Sequence, residues 1–315
     1  MKRFLTAGLA ALAIAVSASA TLAEWTPPGP IKLLIGFRAG GGADTQARLI
    51  AEALEARLGW KIIPEQVTGK GGLNLAAALK DAPNDGTVIG MAVTETLGYN
   101  MAAANTGMTP ADFTGLTTTA GFQMGVVALS TMGWADFNDV IAAAKAGEEI
   151  RFGAMSPKLA DLAYLLGKAN GVEFNIVVVK GGKAVMDGVT AGDLDLGFMA
   201  GIQARGVKAG DLIELASALS VPLAQTPSAP TLADLGVPFH ADGHFVFIAP
   251  AGLPAEARTA LAEAIIGVVT DPAAKAHEFI ARAFGSPVTI SGAELDMLIA
   301  DGFDGATALL DASAE

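Results

Sequence analysis

Three stretches of the sequence place glycine or serine between an apolar run and a segment with helical spacing. The run Ile31–Phe37 is followed by Arg38-Ala39-Gly40-Gly41-Gly42 and the helical stretch Asp44–Leu58. The other stretches join Ile150–Ala154 to Met155-Ser156-Pro157-Lys158, and Asn175–Val179 to Lys180-Gly181-Gly182-Lys183. Loops that begin helices direct backbone N–H groups and the positive helix end toward a ligand, and glycine lets the backbone approach closely. The pattern therefore indicates anion-binding sites.

The first loop has other interpretations. Asp44 could simply cap the helix or pair with Arg48 four residues later. A dinucleotide site would also follow a strand and open a helix, with Glu65 as its acidic residue, but Gly40-Gly41-Gly42 lacks the G-x-G-x-x-G spacing. The segment Gly69-Lys70-Gly71-Gly72 lacks the Walker pattern and is equally typical of a plain loop.

Several basic residues lie in or beside these loops although the chain as a whole is acidic. The full sequence has 20 basic and 32 acidic residues and a net charge of −12. The basic residues of the loops are Arg38, Lys70, Lys158, Lys180 and Lys183. Because nucleic-acid phosphates require a basic face, no nucleic-acid partner is expected. Basic residues at the candidate loops favour a small anionic ligand instead.

A few residues could support catalysis. His240, Asp242 and His244 could place three metal ligands on one face of a strand, although Gly243 favours a solvated loop. Ser156 lacks the second glycine of a nucleophile elbow, and no histidine has a clear role beside it. We therefore predict no catalytic residue, no metal site and no cofactor.

The elements that must position the loops alternate between strands and helices. Apolar strands followed by helices are typical of parallel sheets covered on both faces. A further helix is predicted at Pro254–Val269. Further strands are predicted at Lys61–Pro64, Val88–Val93, Val126–Leu129, Leu194–Met199, Leu212–Ala218 and Phe245–Ile248. Since ligands of such sheets bind at the carboxyl ends of the strands, the three loops are expected to share one crevice.

The first residues have the pattern of an export signal. Lys2 and Arg3 precede the apolar run Phe4–Val16, and small residues then allow cleavage after Ala20 or, preferably, after Ala23. The mature chain of about 290 residues is long enough for two lobes. Its net charge becomes −14, because loss of Lys2 and Arg3 leaves 18 of the 20 basic residues against 32 acidic ones. With no cysteine in the sequence, we expect a periplasmic protein stabilised by burial alone.

An ordered set of segments extends over nearly the whole mature chain. The segments are PIKLLIGFRAGGGAD (30–44), GKGG (69–72), APNDG (82–86), VKGGKA (179–184), AGDLD (191–195), PSAPTLADLG (227–236) and APAGLP (249–254). Together they resemble the substrate-binding proteins of tripartite tricarboxylate transporters, also called Bug or TctC-type receptors.

The resemblance implies an α/β fold, a two-lobed periplasmic binding protein of type II in which each lobe is a mostly parallel sheet flanked by helices. Residues 1–23 would form the signal peptide, 24–124 and 226–315 lobe one, and 125–225 lobe two. Family members hold a small carboxylate through backbone groups and bridging waters from two loops, which here would be Phe37–Asp44 and Gly153–Lys158. They deliver it to a permease with a large and a small membrane subunit, and we expect this protein to be a monomer.

The loop pattern and the resemblance together predict a set of ligand-binding residues. Thr94-Glu95-Thr96 and Lys180-Gly181-Gly182 are expected to complete the walls of the cleft. The full set is Phe37, Arg38, Ala39, Gly40, Gly41, Gly42, Asp44, Gly71, Gly72, Thr94, Glu95, Thr96, Gly153, Ala154, Met155, Ser156, Lys158, Lys180, Gly181, Gly182 and Met199.

Three positions depart from the pattern usual in the family. Arg38 stands where proline is usual, Leu73 stands where asparagine is common, with Asn74 one place later, and Met199-Ala200 replaces an acidic or polar residue. These departures bear on the identity of the ligand rather than on the fold.

Arg38 suggests one hypothesis about that ligand. A guanidinium in the first loop could bind a second carboxylate, which predicts a ligand with two acidic groups, or with one carboxylate and another acceptor. The alternative is that Arg38 faces solvent or pairs with an acid such as Glu65 or Glu95. The ligand itself stays open, since citrate-like, dicarboxylic, amino acid, aromatic and nicotinic acids all fit the pattern.

Two other functions stay open from sequence. One is a secreted hydrolase or metal-dependent enzyme that depends on Ser156 or His240, and it would show turnover. The other is a sensor that uses the same fold with a partner other than a permease.

Overall fold

The structure, a computed structural model, describes residues 25–314, so the predicted export signal lies outside the described residues. Within that range the chain forms two five-stranded sheets flanked by helices. The strands are β1 (Ile31–Ile35), β2 (Ile62–Gln66), β3 (Val88–Val93), β4 (Phe113–Gly121), β5 (Gly125–Leu129), β6 (Arg151–Ala154), β7 (Asn175–Val178), β8 (Leu196–Met199), β9 (Leu212–Ser217) and β10 (His244–Pro250).

The helices connect these strands and cover the sheets. They are α1 (Gly42–Leu58), α2 (Leu73–Lys80), α3 (Thr94–Leu97), α4 (Tyr99–Ala104), α5 (Phe137–Lys145), α6 (Pro157–Asn170), α7 (Gly182–Ala191), α8 (Ala204–Ala209), α9 (Ala255–Val269), α10 (Lys275–Phe284), α11 (Gly292–Asp304) and α12 (Ala306–Ala314). Short 3-10 turns lie at Lys70–Gly72, Pro110–Asp112 and Ser130–Met132. No helix within residues 25–314 is long and apolar enough to cross a membrane.

The order of strands defines two lobes. The first sheet has the order β2-β1-β3-β10-β4, and the second has the order β7-β6-β8-β5-β9. In the first sheet β10 runs antiparallel to β3 and β4, and in the second β5 runs antiparallel to β8 and β9. The other strands of each sheet share one direction, which confirms the expected mostly parallel architecture.

The two reversed strands are the ones that the chain enters from the other lobe. β4 is the last strand that the chain forms in the first lobe before the crossing, and three residues separate its end at Gly121 from the start of β5 at Gly125. The longer segment between β9 and β10 makes the return crossing. Because each crossing delivers the chain to the cleft edge of a sheet, the strand that follows must run away from the cleft. The sequence pattern did not reveal this reversal, because an apolar run looks the same in either direction.

Burial on both faces explains why the strands are continuously apolar. In β1, Ile31, Leu33 and Ile35 belong to one core cluster, and Leu34 belongs to a second cluster beneath α2 and α11. All four side chains are at most 4% exposed. A strand buried on both faces loses the alternation of apolar and polar residues, so the apolar runs in the sequence correctly predicted strands.

β4 was missed from sequence because its middle is polar. Thr117, Thr118 and Thr119 are fully buried. Their hydroxyl groups find partners: Thr119 Oγ1 donates to Gln46 Oε1 (2.7 Å) and Thr118 Oγ1 to the carbonyl oxygen of Val288 (2.6 Å). Buried hydroxyls that are satisfied in this way are compatible with a central position in the fold.

The lobe boundaries drawn from sequence stay a prediction, and the structure adds contacts that bear on them. The segment between β9 and β10 lies against the second lobe, since Asn170 of α6 donates to the carbonyl oxygen of Leu235 (3.1 Å). The last helix, α12, packs against both α4 and α6. The C-terminus therefore bridges the two lobes.

Candidate ligand-binding site

A cavity lies between the two lobes. The first lobe and the crossing segment contribute Phe37, Arg38, Gly41, Gly42, Ala43, Gly71, Val93, Glu95, Phe122, Met124, Phe245 and Phe284. The second lobe contributes Met155, Ser156, Leu159, Gly181, Gly182, Lys183, Ala200 and Ile202. The three loops singled out in the sequence therefore meet at one place.

The loop of the first lobe is fixed by a buried carboxylate. Asp44 is 3% exposed. Its Oδ2 accepts from the backbone N–H of Gly40 (2.9 Å), and its Oδ1 accepts from Arg48 Nε (2.8 Å) and Gln66 Nε2 (3.1 Å). The backbone N–H of Gly41 also donates to the carbonyl oxygen of Arg38 (3.1 Å). These bonds hold the loop in one shape before any ligand arrives.

The helix that follows this loop starts with free donors. Gly41 is the N-cap of α1, and within the described residues no side chain caps that helix. The first N–H groups of a helix have no partner inside it, and they carry the positive end of the helix dipole. Gly41, Gly42 and Ala43 line the cavity, so this end of α1 faces a prospective ligand.

The second lobe repeats this arrangement across the cleft. Gly181 is the N-cap of α7, with φ of +93°, and again no side chain of the described residues caps the helix. A Cβ at Gly41 would lie 3.6 Å from the Cβ of Lys183, so the two helix starts approach each other closely. Two opposed helix starts of this kind form a site suited to an anion such as a carboxylate.

The start of α6 differs from the other two. Ser156 Oγ accepts from the backbone N–H of Leu159 (3.3 Å), and Pro157 occupies the first turn and has no N–H. Ser156 is 4% exposed and lines the cavity. The hydroxyl therefore serves first as a helix cap, which is a structural role the nucleophile alternative did not include.

A third loop closes the cavity from the first lobe. The carbonyl oxygen of Gly71 accepts from Thr96 Oγ1 (2.7 Å) and Asn100 Nδ2 (3.2 Å). Asn100 Nδ2 also donates to Glu95 Oε1 (3.1 Å), and Asn100 Oδ1 accepts from the backbone N–H of Lys158 in the second lobe (3.4 Å). Asn100 is fully buried and thus connects the loop, Glu95 and the opposite lobe.

The walls of the cavity are mostly apolar. Phe122, Phe245 and Phe284 form a connected aromatic cluster, with ring centroids 5.2 Å apart for the first pair and 4.8 Å apart for the second. Met124, Met155, Leu159 and Ile202 also line the cavity. These walls leave apolar surface beside the two helix starts.

Charged side chains lie at the mouth of the cavity. Arg38 Nη1 is 3.3 Å from Asp187 Oδ2 across the cleft, and Lys183 Nζ pairs with Asp187 Oδ1. Arg38 therefore pairs with an acid, although with neither Glu65 nor Glu95. An open depression that shares Lys183 and Ile202 with the cavity carries the further cations Arg205, Lys208 and Arg282.

A further contact between the lobes joins two titratable groups. The Tyr99 hydroxyl of α4 donates to Asp161 Oδ2 of α6. Burial raises the pKa of Asp161 above its ordinary value, against the opposite effect of the hydrogen bond from Tyr99. Burial and the adjacent carboxylate both raise the pKa of Tyr99, so the tyrosine stays protonated and can donate.

The remaining predicted site residues lie behind the cavity wall or at its rim, and their roles in binding stay predictions. Gly153 and Ala154 belong to β6, and Met199 ends β8, where it is fully buried. Ala39 and Lys180 are exposed at the rim. The others are Gly40, Asp44, Gly72, Thr94, Thr96 and Lys158, which support the loops that line the cavity.

The residues considered for metal binding lie outside the cavity. His240 Nδ1 is 3.3 Å from Asp242 Oδ2 on the surface. His244 and Glu95 line a neighbouring cavity, and burial lowers the pKa of His244 while Asp242 opposes that effect. Among the described residues, no group of three or more histidine, cysteine, aspartate or glutamate side chains is placed to hold a metal ion.

Sequence reasoning missed most of the apolar wall. Val93, Phe122, Met124, Leu159 and Ile202 were not predicted as site residues, nor were Ala43, Lys183, Ala200, Phe245 and Phe284. Ala43 lies inside the predicted loop Phe37–Asp44, Lys183 ends the predicted loop that begins at Lys180, and Leu159 directly follows Lys158, so the predicted loops could have found all three. Phe122, Phe245 and Phe284 come from distant segments, and nothing in the sequence distinguishes them from core phenylalanines.

The two sheets, the two crossings and the cavity between the lobes define the fold of type II periplasmic binding proteins. The solved periplasmic binding protein BugD superposes with a TM-score of 0.82 at 19% identity and covers 92% of this chain and 99% of its own. A protein of R. palustris solved with adipate has a TM-score of 0.79 at 22% identity and covers 91% of this chain and 98% of its own. These similarities confirm the predicted fold.

The family follows from the sequence comparison. The profile of the tripartite tricarboxylate transporter family receptor matches residues 46–314, and the chain belongs to this family. The UPF0065 protein of the TAR-I ttuE-ttuC' intergenic region of Agrobacterium vitis is 28% identical over 276 residues, which are 82% of this chain and 79% of that protein. Members of the family are transport receptors, so this chain is a binding protein and not an enzyme, as the sequence predicted.

Proposed function

We propose that this protein is an extracytoplasmic receptor that binds a small carboxylate in the cleft between its lobes. The observation that carries the proposal is the pair of helix starts at Gly42 and Gly182, which face each other across the cavity without side-chain caps among the described residues. Backbone N–H groups at two helix starts provide donors and favourable dipoles for one carboxylate without a side-chain charge.

The charge around the cavity supports an anionic ligand. Lys183, Arg205, Lys208 and Arg282 lie around the open depression beside the cavity, although the full chain has a net charge of −12. A local positive field at a cleft raises the rate at which anions arrive. The structural relative solved with adipate adds support, because adipate is itself a carboxylate.

Membership in the receptor family supports delivery to a membrane permease. In this proposal the closed, ligand-bound form is the one that the permease recognises, and the protein acts as a monomer in the periplasm. The export signal is cleaved after Ala23, so the mature chain begins at Glu24. N-terminal sequencing of exported protein checks this step, and retention of Lys2 and Arg3 would contradict it.

A thermal-shift screen over small carboxylates tests the binding proposal. A carboxylate at 100 times its dissociation constant should stabilise the protein by about 2.7 kcal/mol. Calorimetry should then show one saturable site and an unchanged ligand. If a carboxylate is instead consumed, the hydrolase alternative gains support, and Ser156→Ala and His240→Ala would identify the group responsible.

A matched pair of variants locates the site. A Cβ at Gly182 has its nearest neighbour at 3.5 Å, on Met155 Sδ, so the space accepts a small side chain. Gly182→Ala should retain binding, whereas Gly182→Asp places a negative charge at the start of α7 and should repel the carboxylate. Equal binding by both variants would show that the carboxylate is held elsewhere.

A further inference from the structure

Glu95 is a buried carboxylate in the wall of the cavity. It lies in α3, directly after β3 ends at Val93, and it is 8% exposed. The apolar side chains Val93, Phe122 and Met124 line the same cavity. A carboxylate in such surroundings needs hydrogen-bond donors, because burial of an unpaired charge is costly.

The protein supplies a donor to one oxygen of Glu95. Oε1 accepts from Asn100 Nδ2, and Asn100 is fixed in turn by the carbonyl oxygen of Gly71 and the backbone N–H of Lys158. Among the side-chain hydrogen bonds and ion pairs of the described residues, none engages Oε2 of Glu95. Oε2 is also not among the buried atoms without partners, so it retains accessible surface.

Arg38 and Lys183, which line the same cavity as Glu95, both pair with Asp187 at its mouth. Glu95 also lines a neighbouring cavity with Lys158 and His244, and among the described residues no hydrogen bond or ion pair joins either side chain to it. A ligand in the main cavity can therefore supply the second donor to Glu95. A second carboxylate placed against Glu95 would be repelled.

On the basis of the proposed function, we propose that the ligand is a carboxylate with an apolar body and a hydrogen-bond donor, a hydroxyl or ammonium group, that Glu95 binds. The helix starts of α1 and α7 hold the carboxylate, the phenylalanine and methionine side chains contact the body, and Glu95 Oε2 accepts from the donor. This assignment differs from the dicarboxylate that Arg38 suggests from sequence.

Two ligand series test the inference by calorimetry. One is hexanoate, 6-hydroxyhexanoate, 6-aminohexanoate and adipate, and the other is 4-methylbenzoate, 4-hydroxybenzoate, 4-(aminomethyl)benzoate and terephthalate. Within each series the molecules differ only in the group at the far end. In at least one series, wild type should bind the hydroxyl or ammonium member roughly tenfold more tightly than the methyl member, and the dicarboxylate most weakly.

The variant Glu95→Gln sharpens the test. It keeps the shape of the side chain but removes the charge, so the advantage of the ammonium member should fall roughly tenfold and the dicarboxylate should gain affinity. Glu65→Gln is the matched control, because Glu65 lies on β2 outside the cavity lining and pairs with Lys32. It should leave every affinity unchanged.

The outcomes separate the two proposals. If no carboxylate of these series or of the screen binds, the proposed function itself fails. If carboxylates bind but wild type prefers the methyl or dicarboxylate members in both series, the inference about Glu95 is overturned and the proposed function stands. The ranking in wild type decides this even if Glu95→Gln does not fold.

Discussion

The two glycine loops that face each other across the cleft differ in how they are held. In the first lobe, Asp44 fixes the loop from behind by accepting from Gly40, Arg48 and Gln66. In the second lobe, the loop before α7 is held by its own backbone, with the N–H of Gly181 donating to the carbonyl oxygen of Val179 (3.1 Å). The two helix starts are alike, but the buried side chain of Asp44 holds the first loop, whereas a bond between backbone groups holds the second.

This difference indicates an order of events in binding. The first lobe presents a preformed half of the site, which a carboxylate can occupy before the lobes close. In the proposed function the second lobe then completes the site, and Arg38–Asp187 and Tyr99–Asp161 join the lobes in this structure. Movement of two lobes about paired crossings is a common way to enclose a ligand.

The largest expected effect comes from Gly72, where an added side chain would overlap with a neighbour. Gly72 and Gly192 both have left-handed backbone angles, with φ of +94° and +78° and ψ of −6° and +15°. A Cβ at Gly72 would lie 2.9 Å from Thr96 Cγ2 and nearer still to Oγ1, whereas one at Gly192 would have no neighbour within 4 Å. Gly72→Ala should lower the free energy of unfolding by about 2–5 kcal/mol, from backbone strain and overpacking together.

Gly192→Ala, at the end of α7, is the matched control for this prediction. It lies in the same left-handed region without the overlap, so it should lower the free energy of unfolding by only about 1–2 kcal/mol. Urea denaturation of both variants makes the comparison. Equal losses of stability would mean that the contact between Gly72 and Thr96 leaves room for a side chain.

The next largest effect on stability is expected from the loss of Asp44, whose side chain holds the loop of the first lobe. Asp44→Ala removes the acceptor of three hydrogen bonds and should lower the free energy of unfolding by about 1–3 kcal/mol. It should also weaken carboxylate binding, because the loop no longer keeps its shape. Denaturation and calorimetry on one preparation measure both, and unchanged affinity would show that Asp44 does not preorganise the loop.

A smaller effect is expected from the ion pair across the mouth. The side chains of Arg38 and Asp187 are 52% and 39% exposed, so solvent screens their interaction. Arg38→Ala and Asp187→Ala should each weaken ligand binding by at most about 1 kcal/mol, equally for mono- and dicarboxylates. A loss of about 1.5–3 kcal/mol for dicarboxylates alone would instead support direct binding of a second carboxylate by Arg38.

The smallest effect is a dependence on pH. Because the folded state raises the pKa of Asp161, it binds that proton more tightly than the unfolded state does. The stabilising contribution is complete below the ordinary pKa of 3.8 and is lost as pH rises through the raised value. Thermal unfolding of wild type and Asp161→Asn across this range should show wild type losing stability relative to the variant, and parallel curves would contradict the prediction.

The sequence predicted the parts of the site that depend on local pattern. Gly41, Gly42, Gly181 and Gly182 follow apolar runs and begin helices, and the structure places all four in the cavity lining. The strands were found because burial on both faces leaves an apolar run, as in β1.

The rest could not be predicted because it depends on contacts between distant segments. Phe245 and Phe284 become cavity walls only after the return crossing brings β10 and α10 to the cleft. The ion pair of Asp187 with Arg38 also joins distant segments, and nothing near Asp187 in the sequence indicates that Arg38 lies opposite. Residue type alone does not distinguish such residues from ordinary core or surface positions.

The central claim is that opposed helix starts from the two lobes hold one carboxylate, and a crystal structure with a carboxylate from the thermal-shift screen tests it most directly. We expect carboxylate oxygens about 2.7–3.2 Å from backbone nitrogens in the first turns of both α1 and α7, such as those of Gly42 and Lys183. A carboxylate bound instead at Arg205 and Lys208, with both helix starts contacting only solvent, would contradict it.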